Sequence, residues 1–210
     1  MVSCKRAAII CGGSIEDYIY IKNYILRFNP DIIICADSGY SHAVNMQLDV
    51  DLIVGDFDSL ENIPRNIKTV RYPAKKNYTD SEIALSHARK SGAASLLFTG
   101  ATGSRADHTL TNIMMLNDCL SRGEDAEIVD EHNIIRLTDT SVKLTGEKNS
   151  LVSLVPLCDC FGVTTSGLAY PLCDDVLRVG EGRGISNVMS GTEACVKLSE
   201  GRLAVIITRD

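Results

Sequence analysis

No cluster of lysine and arginine stands out in this sequence, and the formal net charge of −6 with a pI near 5.2 leaves no basic face for a phosphate backbone. Nucleic acid is thereby excluded as a partner. No apolar run reaches bilayer-spanning length. The segment Met1-Val2-Ser3-Cys4-Lys5-Arg6 leads into a short apolar run that stops at Gly12-Gly13, too short for a signal-peptide core. A cytoplasmic protein is expected. Cys-x-x-Cys pairs are missing although the chain has 8 cysteines, at positions 4, 11, 35, 119, 158, 160, 173 and 195. Several lie inside apolar runs, where free Cys behaves as a small hydrophobe, so they read as structural packing. Gly-x-Gly-x-x-Gly is missing, as is Gly-x-x-x-x-Gly-Lys-Ser/Thr, so neither a dinucleotide fingerprint nor a P-loop is present. Internal repeats and low-complexity segments are absent too.

What is there is the composition of an ordinary globular protein, 45% apolar and 23% charged. The first two-thirds alternate short apolar runs with helical patterns. Strands are expected over 7–11, 32–36, 52–54, 69–72, 96–99 and 126–129, and helices over 16–28, 41–46, 81–90 and 108–122. The strands are apolar on both faces, as parallel strands covered by helices are. In the last helix Leu110, Ile113, Met114 and Leu120 recur at helical spacing, with Gly123 placed to cap it. The pattern predicts an α/β domain with an open, mostly parallel sheet. The rest reads as short strands separated by turns, at 134–137, 142–144, 151–155, 163–165, 176–179, 194–198 and 203–208. A small all-β sandwich or barrel follows. The boundary falls near 133–145, and we set it at 1–135 and 136–210.

The carboxyl ends of the expected strands carry aspartates. Asp37 follows 32–36, Asp56 and Asp58 follow 52–54, and Asp80 precedes the helix at 81–90. Asp107 follows the loop Gly100-Ala101-Thr102-Gly103-Ser104-Arg105-Ala106. In open α/β sheets ligands bind at this edge, so five aspartates are expected in one crevice. Each has a plainer use: Asp80 and Asp107 suit helix caps, and Asp37 suits a turn. Asp56-x-Asp58 is harder to dismiss, because alternate residues of an extended segment point the same way. Two carboxylates about 4 Å apart repel by roughly 4 kcal/mol at an effective dielectric near 20. A hard divalent cation relieves that. Gly12-Gly13-Ser14, between strand and helix, either offers backbone N–H groups to phosphate or simply forms a tight turn. Arg105 suits phosphate oxygens, Lys75 and Lys76 add charge or lie on the surface, and His108 reads as a hydrogen-bonding support. No cysteine has a base partner that marks a nucleophile.

These pieces together resemble the thiamine pyrophosphokinase family. The matching segments are Ala36-Asp37-Ser38-Gly39, Gly55-Asp56-Phe57-Asp58-Ser59, Thr79-Asp80-Ser81-Glu82, Gly103-Ser104-Arg105-Ala106-Asp107-His108, Thr165-Ser166-Gly167-Leu168-Ala169-Tyr170 and Gly184-Ile185-Ser186-Asn187. They stand in the family's order over nearly the whole chain. Ser38 and Ser104 depart from the pattern, standing where many members carry Gly. The resemblance implies pyrophosphoryl transfer from ATP to the hydroxyl of thiamine, giving thiamine diphosphate and AMP, with Mg²⁺. It also implies a homodimer with thiamine at the subunit interface. It assigns catalysis to Asp37, Asp56, Asp58, Asp80 and Asp107, with metal on Asp56, Asp58 and Asp80. Nucleotide contacts fall to Gly12, Gly13, Ser59, Lys76, Thr79, Gly103, Arg105 and His108, and thiamine contacts to Tyr170, Ser186 and Asn187, the tyrosine by stacking on a cation. Asp80 or Asp107 is implied as acceptor of the hydroxyl proton. Two other readings fit the same acids: a metal-dependent nucleotide phosphohydrolase, and a non-catalytic thiamine or nucleotide sensor.

Overall fold

The computed structural model describes residues 5–58 and 66–209. Ser59 and Cys4 fall outside the described residues. The chain divides into two compact units, Met1–Glu131 and His132–Asp210, so all of the strand that begins at Asn133 belongs to the second.

In the first unit the elements run β1 (Lys5–Ile10), α1 (Tyr18–Phe28), β2 (Ile32–Ala36), α2 (Gly39–Asn45), β3 (Leu52–Gly55), β4 (Lys68–Arg71), α3 (Asp80–Lys90), β5 (Ala93–Thr99), α4 (Ala106–Ser121) and β6 (Asp125–Val129). Hydrogen bonds join the strands, all parallel, in the order β6-β5-β1-β2-β3-β4. Ala7, Ala8, Ile9 and Ile10 of β1 are all fully buried, which is why this strand carries no polar alternation. β4 closes the edge with exposed Lys68, Thr69 and Arg71, and charge there discourages further pairing. From β1 the chain winds outward to β4, then returns to the other side of β1 for β5 and β6. The order therefore reverses between β1 and β5. A crevice opens at their carboxyl ends, and there a doubly wound sheet takes its ligand.

The helices start and stop on local chemistry. Asp17 caps α1 by accepting from the Tyr20 N–H, and Asn29 ends it in the left-handed region at φ 51°. α3 carries a full capping box: Thr79 Oγ1 accepts from the Glu82 N–H, and the Glu82 carboxylate accepts from the Thr79 N–H at 2.7 Å. Thr79, not Asp80, is thus the cap. Arg105 stands at the cap position of α4 with no side-chain cap bond, so Asp107 does not cap that helix either. Gly123, in the left-handed region at φ 71°, follows the end of α4 as expected. The face α4 buries is Asn112, Met115, Leu116 and Cys119. Leu110 and Met114 stay 59% and 52% exposed, so half of the expected apolar stripe faces outward.

The second unit holds β7 (Asn133–Thr138), β8 (Ser141–Thr145), β9 (Leu151–Pro156), β10 (Cys160–Ser166), β11 (Asp175–Leu177), β12 (Asn187–Val188), β13 (Glu193–Lys197) and β14 (Leu203–Thr208). They form two antiparallel sheets, β12-β9-β14-β7 and β11-β10-β13-β8. Leu144, Val152, Leu154, Val163, Met189, Val196, Leu203 and Val205 fill the space between them. This is a β-sandwich. The two-residue β12 was not expected, and β11 ends before the expected 179.

Candidate active site

A cavity of about 640 Å³ lies within the first unit at the carboxyl ends of β1, β2, β3 and β5. Its walls include Gly12, Gly13, Asp37, Asp56, Lys76, Thr79, Asp80, Gly103, Arg105 and His108. Three of the five aspartates therefore meet at one rim. Asp58 and Asp107 are exposed and do not line it.

The Asp58 result has a backbone cause. Phe57 sits in the left-handed region at φ 63° and is buried, so Asp56-Phe57-Asp58 is a turn rather than an extended segment. The alternation that puts both carboxylates on one side does not apply. Asp56 Oδ1 instead accepts from the Asp58 N–H at 3.1 Å. Asp37 also lies in the left-handed region at φ 46°. Its N–H donates to the Val54 carbonyl, and its Oδ1 accepts from the Phe57 N–H at 3.1 Å, fastening the ends of β2 and β3 together. At Gly55 an added Cβ would lie 2.9 Å from Asp37 Cβ, so the close approach of these two turns requires glycine.

The cation at the acids is Lys76. Its Nζ lies 2.8 Å from Asp80 Oδ1 and 3.7 Å from Asp56 Oδ2, with the shorter contact off the hydrogen-bond directions. Burial alone would lower the Lys76 pKa, but the negative charges of Asp80 and Asp56 beside it raise it by more. The repulsion that the acids alone would suffer is relieved by a side chain of the protein. Asp37, Asp56 and Asp80 carry hard oxygen donors with excess negative charge, the ligand chemistry of a divalent ion such as Mg²⁺, but one oxygen from each does not come within 4.8 Å of the other two.

The glycine loop departs from expectation. The Gly13 N–H donates to the Gly100 carbonyl at 2.7 Å and the Ser14 N–H to the Thr102 carbonyl at 2.9 Å. These donors join the β1–α1 turn to the β5–α4 turn and are not offered to phosphate. A Cβ at Gly13 would collide with both of those carbonyl oxygens. His42, which the sequence did not single out, contacts the Gly13 carbonyl through Nε2 at 2.7 Å and the Tyr18 hydroxyl through Nδ1 at 2.9 Å. Asn112 Nδ2 donates to the Ala101 carbonyl, and Thr102 Oγ1 donates to buried Asp130 at 2.8 Å. Asp130 directly follows β6, the position that picked out the other aspartates, so the same rule reaches it. Tyr78, 65% exposed, also lines the cavity; its neighbour Thr79 was the only signal.

Arg105 and Asp107 form an exposed pair at 2.6 Å. The Arg105 hydrogen bond holds the Asp107 carboxyl down at about 2, so it is a poor base at neutral pH. Burial pushes the Cys11 thiol, on the cavity wall, up to about 11, which removes it as a nucleophile. Cys11, Cys35, Cys119 and Cys160 are buried, whereas Cys158 and Cys173 are exposed and do not serve as packing.

In the second unit Tyr170 is 69% exposed. Asn187 is 8% exposed and holds the backbone of Tyr170: Oδ1 accepts from the Tyr170 N–H at 3.0 Å and Nδ2 donates to the Tyr170 carbonyl at 2.7 Å. Oδ1 also accepts from the Val188 N–H. The Asn187 amide thus positions the Tyr170 backbone. Ser186, exposed and in the left-handed region at φ 57°, donates its N–H to Ser153 Oγ.

Parallel strands ending on carboxylates at a switch-point cleft, in a chain that continues into a β-sandwich, define an α/β enzyme architecture with an added β unit. A family model described as thiamin pyrophosphokinase, catalytic domain, matches residues 26–129, and one described as thiamin pyrophosphokinase, vitamin B1 binding domain, matches 133–203. The chain belongs to the thiamin pyrophosphokinase family. It is 28% identical over 165 residues to a thiamine pyrophosphokinase of Bacillus subtilis (strain 168), covering 74% of this chain and 77% of that one. Among solved structures, the Bacillus subtilis thiamine pyrophosphokinase superposes with a TM-score of 0.85 at 23% identity, covering 98% of this chain and 100% of that one. A thiamin pyrophosphokinase family protein of Enterococcus faecalis gives 0.79 at 25% identity, with 98% and 100% covered. The Candida albicans enzyme, at 17% identity, shares the fold with a TM-score of 0.78 over 98% of this chain and 90% of that one.

Proposed function

We propose that this protein transfers the pyrophosphoryl group of ATP to the hydroxyl of thiamine, giving thiamine diphosphate and AMP. The observation that carries this reading is a cleft lined by Asp37, Asp56, Asp80 and Lys76, in one chain with a unit matched as vitamin B1-binding. Phosphoryl-type transfer needs in-line positioning and charge neutralisation rather than a protein nucleophile. Lys76 and Arg105 supply positive charge to the phosphates. Asp56 and Asp80 would hold Mg²⁺; when bound, the ion neutralises charge that develops on the transferred group. Asp107, held ionised by Arg105, binds protons weakly and is a poor acceptor for the hydroxyl proton. Gly12, Gly13, Thr79, Gly103 and His108 shape the wall against the nucleotide, and exposed Tyr170 and Ser186 receive thiamine.

Cytoplasmic residence and a homodimer with thiamine at the subunit interface complete the proposal. In its support, the described cysteines are free, as suits a reducing compartment, and no described helix is long and apolar enough to cross a membrane. Incubation with ATP, Mg²⁺ and thiamine, followed by separation of AMP and thiamine diphosphate from ADP and phosphate, tests the reaction. ADP or phosphate in place of AMP would refute it.

A further inference from the structure

Lys76 lies in the segment between β4 and α3, four residues before Asp80. Its side chain is 11% exposed, and its Nζ is enclosed between Asp80 Oδ1 at 2.8 Å and Asp56 Oδ2 at 3.7 Å. An ammonium is buried only where opposite charge surrounds it, and these two carboxylates provide it. They are also the donors that best fit a divalent ion. Mg²⁺ takes oxygen ligands at about 2.0–2.1 Å, shorter than either contact to Lys76. An ion that draws both carboxylates in therefore leaves no space between them for Nζ, and its own charge repels the ammonium.

We propose that Lys76 is an internal counter-cation, holding Asp56 and Asp80 together until a divalent ion displaces it and turns its ammonium toward the nucleotide phosphates. This rests on the reaction proposed above and adds its order of loading. An empty site with only carboxylates would splay apart. With Lys76 in place the ligand pair is already formed when the ion arrives. The exchange also gives up an ion pair, which weakens binding of the free ion until phosphates are present to receive the ammonium. Metal and nucleotide therefore bind with positive coupling, and by linkage each strengthens the other equally.

The test uses the full chain without nucleotide. Lysine acetylation is followed by mass spectrometry with and without MgCl₂ at matched ionic strength. Lys76 labels slowly without the ion and several-fold faster with it, while exposed Lys75 is unchanged. In calorimetry with Mn²⁺, Lys76→Gln binds the ion about tenfold tighter than wild type, and the coupling between Mn²⁺ and ADP shrinks by a similar factor. Lys76→Arg, which keeps the charge, stays close to wild type. Lys76 reactivity that ignores saturating Mg²⁺ overturns the proposal, as does a Gln variant that binds Mn²⁺ no tighter, or that binds none. Should that variant fail to fold, the wild-type labelling decides alone. None of these measurements needs turnover, so exchange without AMP formation would count against the reaction and leave the exchange standing.

Discussion

Replacing Asn187 with alanine tests whether this residue touches the substrate or holds Tyr170. The amide makes two hydrogen bonds to the Tyr170 backbone, at 3.0 and 2.7 Å, from a side chain that is 8% exposed. Alanine leaves the Tyr170 N–H and carbonyl without those partners, at about 1–1.5 kcal/mol apiece for partly buried groups. The total of about 2–3 kcal/mol lowers Tm by roughly 4–12 °C for a chain of this size. A loosened Tyr170 backbone also misplaces the exposed ring. KM for thiamine then rises roughly 5–30-fold, the equivalent of about 1–2 kcal/mol, while kcat changes little. Tyr170→Ala removes a mostly solvent-facing ring and is expected to raise KM for thiamine with Tm almost unmoved. Thermal melts followed by circular dichroism, with steady-state kinetics on the same preparations, separate the roles. An Asn187→Ala protein that melts within about 1 °C of wild type yet loses thiamine affinity would show a direct ligand contact, and the positioning role would be wrong.

Other expectations follow from the same geometry. Asp56→Asn and Asp80→Asn are each expected to lower turnover by roughly 10²–10³-fold or more with the far-ultraviolet spectrum unchanged; near-normal rates in both would remove the acids from the chemistry. Gly13→Ala drives a Cβ into the backbone carbonyl oxygens of Gly100 and Thr102, at about 1–3 kcal/mol, so its Tm falls and its KM for ATP rises; a silent variant refutes the join between the two turns. The Asp107 carboxyl, held at about 2 by Arg105, contributes stability that is in place above the ordinary carboxylate range and lost as pH falls toward that value. A carboxyl-carbon NMR titration reads its midpoint directly, and Arg105→Gln is expected to return it to the usual range. A wild-type midpoint already near 3.8, the ordinary value, contradicts the pairing.

The parallel sheet was legible because its strands are apolar on both faces, and the sandwich because its short runs are punctuated by turns. The apolar stripe of α4 was misread in part. Leu110 and Met114 have the right spacing, but which face of a helix turns inward is decided by the sheet beneath it, and here Met115, Leu116 and Cys119 are chosen. Asp58 was misplaced for a different reason. A left-handed φ at Phe57 carries no residue signature, since glycine or asparagine normally marks such a position and phenylalanine does not. The edge of the sheet that would hold acids could be read from strand positions alone, and the rule that found Asp37 and Asp56 extends to Asp130.

What the sequence could not show is which polar groups are already engaged. Gly13, Ser14 and Asn187 have the residue types that bind ligands, yet the N–H groups of Gly13 and Ser14 and the Oδ1 of Asn187 are occupied within the fold. The N–H groups of Gly13 and Ser14 join the β1–α1 turn to the β5–α4 turn, and the Asn187 amide fastens Tyr170. Lys76 is the converse case. Its residue type reads equally well as solvated surface, but its charge is enclosed by Asp56 and Asp80 and is in reach of any ion or phosphate that enters. Because an enclosed charge is costly to strand, whatever binds at those acids must also rearrange Lys76. That requirement ties the structural role of this lysine to its chemical one.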